Sequence, residues 1–88
     1  MRFLVICRPA DGGDPDDFER LVPFETEVLR EQKATGALLE AWSPGRPGAI
    51  LVLETANADQ AARIVATFPL VEADLITTEI IPLHPIDL

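Results

Sequence analysis

Four segments of the chain, Phe3 to Cys7, Leu38 to Trp42, Ile50 to Leu53 and Leu75 to Leu83, carry mostly apolar residues on both alternating faces. A strand with one face in water alternates apolar and polar side chains, so two apolar faces mean a sheet that is covered on both sides. Only two segments read as helical, enough to cover one face of a four-stranded sheet. The other face needs a different cover, and a second copy of the same sheet supplies it most simply. The pattern therefore predicts an obligate homo-oligomer, and its layering favours a small-molecule pocket over a flat interaction surface.

The punctuation between these segments gives the element order. The first strand ends at Arg8-Pro9, and Asp11-Gly12-Gly13-Asp14-Pro15 reads as a loop. Asp14 followed by Pro15 is an N-cap with proline at the first helical position, and Asp16 and Asp17 suit the positive end of a helix. The helix runs toward Gly36, a C-terminal stop. Pro23 removes a backbone hydrogen bond within that span. Either a short turn ends at Val22 and a longer helix starts at Pro23, or one kinked helix continues through it; the kinked continuous element is the expectation. The second strand closes in Ser43-Pro44-Gly45-Arg46-Pro47-Gly48, a hairpin loop. The third strand runs to about Thr55. Asn57 caps a second helix with Ala61, Ala62, Ile64, Val65 and Phe68 as its apolar stripe, and Pro69 ends it. The last strand takes up Asp74 to Leu83, and His84-Pro85 leads into a short tail. The order is β-α-β-β-α-β, which predicts an α+β, ferredoxin-like fold with a four-stranded antiparallel sheet.

Composition narrows the class. Eighty-eight residues predict one domain spanning 1–88, small enough that dimerisation helps to bury its surface. The net charge is −8, with 15 acidic against 7 basic residues and no basic cluster. Phosphate backbones and anionic lipid are repelled by such a chain, so neither nucleic acid nor a membrane surface is an expected partner. The longest apolar run falls short of the roughly 20 residues that span a bilayer. Met1-Arg2 leads straight into a strand with no cleavable leader pattern, and the expectation is a soluble cytoplasmic protein. A single cysteine, Cys7, forms no internal disulfide and no metal cluster.

The candidate chemistry centres on Glu25. Phe18, Leu21, Val22, Val28 and Leu29 form an apolar stripe at about 100° per residue, and Glu25 falls near its middle, with Gln32 on the same line. A carboxylate facing an apolar interior has its pKa raised by desolvation toward the range useful for general acid–base work. The competing reading is that the Pro23 kink turns Glu25 into water, or that an arginine pairs with it. His84 is the one histidine, able to shuttle a proton near neutrality. Equally, a His-Pro pair simply ends the strand and turns the tail, and no metal-ligand spacing surrounds it. Trp42, the one tryptophan, either stacks on a flat ligand or fills the core or an interface. Cys7 reads as an inert buried thiol. Ser43 lies outside any nucleophile-elbow sequence, and no glycine-rich phosphate loop is present, which argues against a serine hydrolase and a nucleotide-binding site. Asp11, Asp14, Asp16 and Asp17 lack the spacing and closing Glu of a calcium loop, and read as a solvated helix start.

Several of these residues, in order, resemble one family. Glu25-x-Glu27 stands ahead of Gly36, Trp42 lies in the second strand, Phe68-Pro69-Leu70 precedes the last strand, and His84-Pro85 ends it. From Glu25 onward the chain is similar to the muconolactone isomerases of the dimeric α/β-barrel superfamily. The resemblance implies a dimer joined through its sheets, further assembly into rings, and a pocket between sheet and helices. It also implies cofactor-free proton transfer on a small lactone. The candidate catalytic residues are Glu25 and His84, with Trp42, Leu4, Ile6 and Gln32 expected around the substrate. The chain departs from the family pattern on the first strand, where members carry basic or polar side chains and this chain has Leu4 and Ile6. It departs again around Trp42, where Leu39, Glu40 and Ser43 replace basic residues. A substrate carboxylate wants cationic partners. The function expected is therefore proton transfer on a small apolar or lactone substrate. A non-catalytic binding or accessory oligomer of the same fold, or a cofactor-free polyketide oxygenase or cyclase relative, is the alternative.

Overall fold

The computed structural model describes all 88 residues. Strand β1 spans Arg2–Pro9, helix α1 Pro15–Ala34, β2 Leu38–Trp42, β3 Ala49–Glu54, α2 Ala58–Ala66, a one-turn helix α3 Pro69–Glu72, and β4 Ile76–Leu83. The sheet order is β2-β3-β1-β4 and every neighbouring pair is antiparallel. This is the ferredoxin-like α+β arrangement. No helix is long and apolar enough to cross a membrane.

Local chemistry accounts for the helix ends. The Asp14 side chain accepts the Asp16 N–H at 2.9 Å, Pro15 opens the first turn, and Asp16 and Asp17 sit at the positive end of the helix. Pro23 does not break α1, which runs unbroken from Pro15 to Ala34. Pro23 and Glu19 lie on the exposed side, so the Glu19 carbonyl that Pro23 leaves without a donor faces water. Gly36, at φ 85°, follows the Thr35 cap. In α2 the Asn57 side chain accepts the Gln60 N–H at 2.9 Å. The inward face of α2 is Ala61, Ile64 and Val65, while Ala62 is exposed.

Two elements differ from the sequence expectation. Pro69 does not merely end α2; it opens α3, because its fixed φ suits a first helical position. The last strand starts at Ile76 rather than Asp74. Asp74 adopts φ 57° and closes α3, with its N–H donating to the Val71 carbonyl at 3.0 Å and the Leu75 N–H donating to the Leu70 carbonyl at 2.9 Å. That paired closure is the Schellman arrangement, with aspartate in the left-handed place that glycine usually takes.

The strand register assigns the two faces. Phe3, Val5 and Cys7 lie opposite Leu53, Leu51 and Ala49, and this side packs against the helices. Phe68, Leu70, Ala61, Val65, Leu38, Leu75 and Ile76 complete the core. Leu4, Ile6, Ile50, Val52 and Ile81 occupy the other face and remain half-buried, with no helix over them. Core energetics should follow this division. Phe68 is fully buried and Phe24 on α1 is 57% exposed. We expect Phe68→Ala to lower unfolding free energy by about 3–5 kcal/mol, and Phe24→Ala to change it by no more than about 0.5 kcal/mol. Urea denaturation of the two variants checks both.

Candidate functional site: a buried carboxylate at an apolar cavity

Because α1 keeps its register through Pro23, Glu25 stays on the line that faces the sheet. It is the one buried carboxylate of the chain, 9% exposed, and no cation pairs with it. Its Oε1 accepts the Leu70 N–H at 3.0 Å. That donor has a physical reason to seek a partner, since the first N–H groups of a helix have none within it. The Glu25 carboxylate therefore caps the start of α3 from a helix 45 residues away in sequence.

Beside this carboxylate lies a cavity of about 290 Å³. Cys7, Leu51 and Ile76 form its floor on the sheet; Phe18, Val22, Thr26 and Leu29 from α1 and Leu70 from α3 form its walls. Pro47, Gly48 and Ala49 close one side. Gly48 is needed there: at φ 124° its Cα passes so near the Cys7 carbonyl that a Cβ would stand 2.5 Å from the oxygen. The lining contains no Lys, Arg or His. No fully buried side-chain oxygen or nitrogen lacks a hydrogen bond, so Oε2 of Glu25, which makes none, retains access to open space.

Burial pushes the Glu25 pKa above the usual carboxylate value, and the Leu70 N–H draws it only part of the way back. Burial, with the neighbouring Glu25 charge added, also pushes the Cys7 thiol up to about 11, so it remains S–H at neutral pH. No group of three or more His, Cys, Asp or Glu side chains converges anywhere in a manner suited to a metal ion.

The other residues singled out in the sequence lie elsewhere. His84 follows Leu83, which pairs with Arg2 at the start of β1, whereas Glu25 sits beside Cys7 near its end. These positions are separated by five residues of strand, roughly 16 Å. His84 is exposed, at an open groove with Met1, Arg2 and Glu54. Leu4 and Ile6 project from the sheet face opposite the cavity, because their neighbours Phe3, Val5 and Cys7 take the helix side. Trp42 shares that open face through its pairing with Ile50; it is 62% exposed and its Nε1 donates to Glu40 Oε1 at 3.1 Å. Gln32 is half-buried two turns beyond Glu25, about 10 Å along the helix, and does not line the cavity. Sequence reasoning missed Phe18, Cys7, Pro47 and the Leu70 N–H as parts of one site. Period-two reading of β1 would have aligned Cys7 with Phe3 and Val5, but nothing local marks the Leu70 amide.

No protein-family model and no curated protein sequence matches the chain. Solved structures do match its fold. Muconolactone isomerase superimposes over the whole of this chain and 95% of that chain, with a TM-score of 0.77 and 21% identity. A 5-chloro-2-hydroxyhydroquinone dehydrochlorinase from Burkholderia phenoliruptrix, in complex with 2,5-dihydroxybenzoquinone, superimposes over 96% of this chain and 94% of its own, with a TM-score of 0.74 and 18% identity. The chain thus has a muconolactone isomerase-like fold, one that also carries a dehydrochlorinase.

The raised carboxyl gives a pH signature. A group that holds its proton more tightly when folded stabilises the native state below its unfolded pKa of about 4.3, and that contribution is lost as pH rises to the folded value. Glu25→Gln keeps an acceptor for Leu70 and cannot ionise. Urea unfolding from pH 4 to 8 should show the variant gaining on the wild type across that window and then holding a constant margin. A flat difference would mean that Glu25 titrates as an exposed carboxyl.

Proposed function

We propose that the chain is a cofactor-free enzyme that moves a proton within a small neutral ring compound, with Glu25 as the acid–base group. The observation that carries this reading is a buried carboxylate of raised pKa with one oxygen anchored by Leu70 and the other accessible, beside an apolar cavity. Perturbed carboxyls in clefts are a common mark of proton-transfer sites. In the proposed step, Oε2 takes a proton from the carbon next to a carbonyl, and the C–H pair flows into an enolate. The carboxyl then returns the proton to the far end of the conjugated system, so a C=C bond moves and nothing is consumed. The Cys7 S–H is a weak donor on the cavity wall, suited to the enolate oxygen. The proton is routed through Glu25 alone, since His84 lies at the other end of β1.

Fold neighbours named for a lactone and for a hydroxylated ring support this substrate class, and the lining of this chain restricts it further. With no cation in the cavity, a substrate carboxylate would be desolvated without a partner. Assays on a panel of neutral unsaturated lactones and cyclohexenones should find turnover that Glu25→Gln lowers by at least about 100-fold. Muconolactone, an acid, should turn over slowly or not at all. The second reading is a non-catalytic binder, favoured by the Glu25–Leu70 bond, because capping α3 is by itself a structural role. Under that reading Glu25→Gln changes no rate and leaves ligand affinity intact.

The homo-oligomer belongs to the same proposal. Leu4, Ile6, Ile50, Val52 and Ile81 form an apolar face without a cover in one chain, and a second sheet fits it. Val52 and Ile80 separate assembly from folding, since Val52 is on the open face and Ile80 packs against the helices. Light scattering should find the wild type at twice its 9.6 kDa chain mass or more. Val52→Asp should return a folded monomer by circular dichroism, and Ile80→Asp an unfolded chain. A wild-type monomer at micromolar concentration would reject the oligomer.

A further inference from the structure

A second cavity, of about 230 Å³, adjoins the Glu25 cavity and shares two wall residues with it, Phe18 and Pro47. Its own walls include Pro9, Pro15 and Leu75, rigid or apolar side chains that leave little to reorganise when a flat molecule lies on them. Its one charged group is Asp14, whose Oδ1 is held by the Asp16 N–H at 2.9 Å. A carboxylate at that rim, and no cation in either cavity, disfavours an anionic ligand. Size is the other constraint. Small-molecule sites usually enclose roughly 300–1,000 Å³; the Glu25 cavity at 290 Å³ stands just under that range, and the two adjoining spaces together fall within it.

We infer that the two cavities are one bipartite site for a neutral, planar two-ring molecule. The reacting ring lies beside Glu25, and the second ring passes the Phe18–Pro47 neck to rest on Pro9, Pro15 and Leu75. This rests on the proposed Glu25 site and specifies its substrate class. Ala10 tests it, because it lines only the outer cavity and its fold contribution is a backbone bond, its N–H donating to the Leu75 carbonyl at 2.9 Å. A larger side chain there fills the outer space and leaves the backbone donor in place.

The experiment is calorimetric titration of the intact protein with phenol and with 2-naphthol, neutral probes that differ by one ring. In the wild type, 2-naphthol should bind about tenfold or more tightly than phenol, as burial of another apolar ring entails. In Ala10→Leu that ratio should collapse toward one while phenol affinity stays unchanged, and 2-naphthol should shift the amide resonances of Ala10, Gly13 and Leu75 only in the wild type. Thermal melting of Ala10→Leu confirms folding. A wild-type ratio near one, or a preference that survives Ala10→Leu, overturns the bipartite site and leaves Glu25 catalysis standing. Loss of neither turnover nor binding in Glu25→Gln rejects the catalyst and leaves the ring preference intact. No binding of either probe overturns the bipartite site.

Discussion

The parity of β1 is the constraint on which the rest of the molecule depends. β1 is hydrogen-bonded on both sides, to β3 and to β4, so its side-chain alternation assigns the faces of the whole sheet. Phe3 and Val5 are fully buried on the helix side, followed by Cys7, while Leu4, Ile6 and Arg8 point the other way. A slip by one residue would exchange the two sets and bring Arg8 against the core, where an unpaired charge is unstable. In the native register Arg8 instead reaches Glu79 at 3.2 Å on the exposed face. That exposed pair adds little energy of its own; what matters is that the alternative register has no place for the guanidinium.

Given that parity, α1 must lay its apolar stripe over Cys7 and Leu51, and Glu25 goes in with it. A buried carboxylate is stable only with hydrogen-bond partners. One comes from α3, where Leu70 lies in the first turn and its amide has no helical acceptor. The two unsatisfied groups answer each other across the molecule. The cost of desolvating Glu25 appears as its raised pKa, and the bond to Leu70 occupies one oxygen and leaves the other without a protein partner. In the proposed reaction, structural and chemical roles fall on different atoms of one side chain, with Oε1 bonded to the fold and Oε2 free to take the proton.

The cavity exists because three pieces meet without filling the corner between them. The end of β1, the Pro47–Gly48 turn and α1 border the space together, and Phe18 and Pro47 line both cavities. Gly48 brings its backbone against the Cys7 carbonyl, so the loop acts as a wall of the site. No basic residue stands in that wall, which confines the proposed chemistry to uncharged substrates.

Much of this was legible in the residues by themselves. The four strands, both long helices, the Asp14 and Asn57 caps and the βαββαβ order follow from short-range signals, because alternation, capping and turn chemistry act over a few residues. Glu25 stood out for the same reason, as a carboxylate on an apolar stripe. Tertiary structure alone decided the rest. Whether Pro23 would turn Glu25 outward depended on packing of the whole helix, and its bond to Leu70 joins groups 45 residues apart. The face taken by Leu4 and Ile6 was not fixed by their own pattern, since both faces of β1 are apolar and only pairing with β3 and β4 settles parity. His84 and Glu25 could be imagined together in a linear chain, but strand length holds them at opposite ends of β1. Contacts distant in sequence depend on how elements pack, and a local pattern carries no record of that.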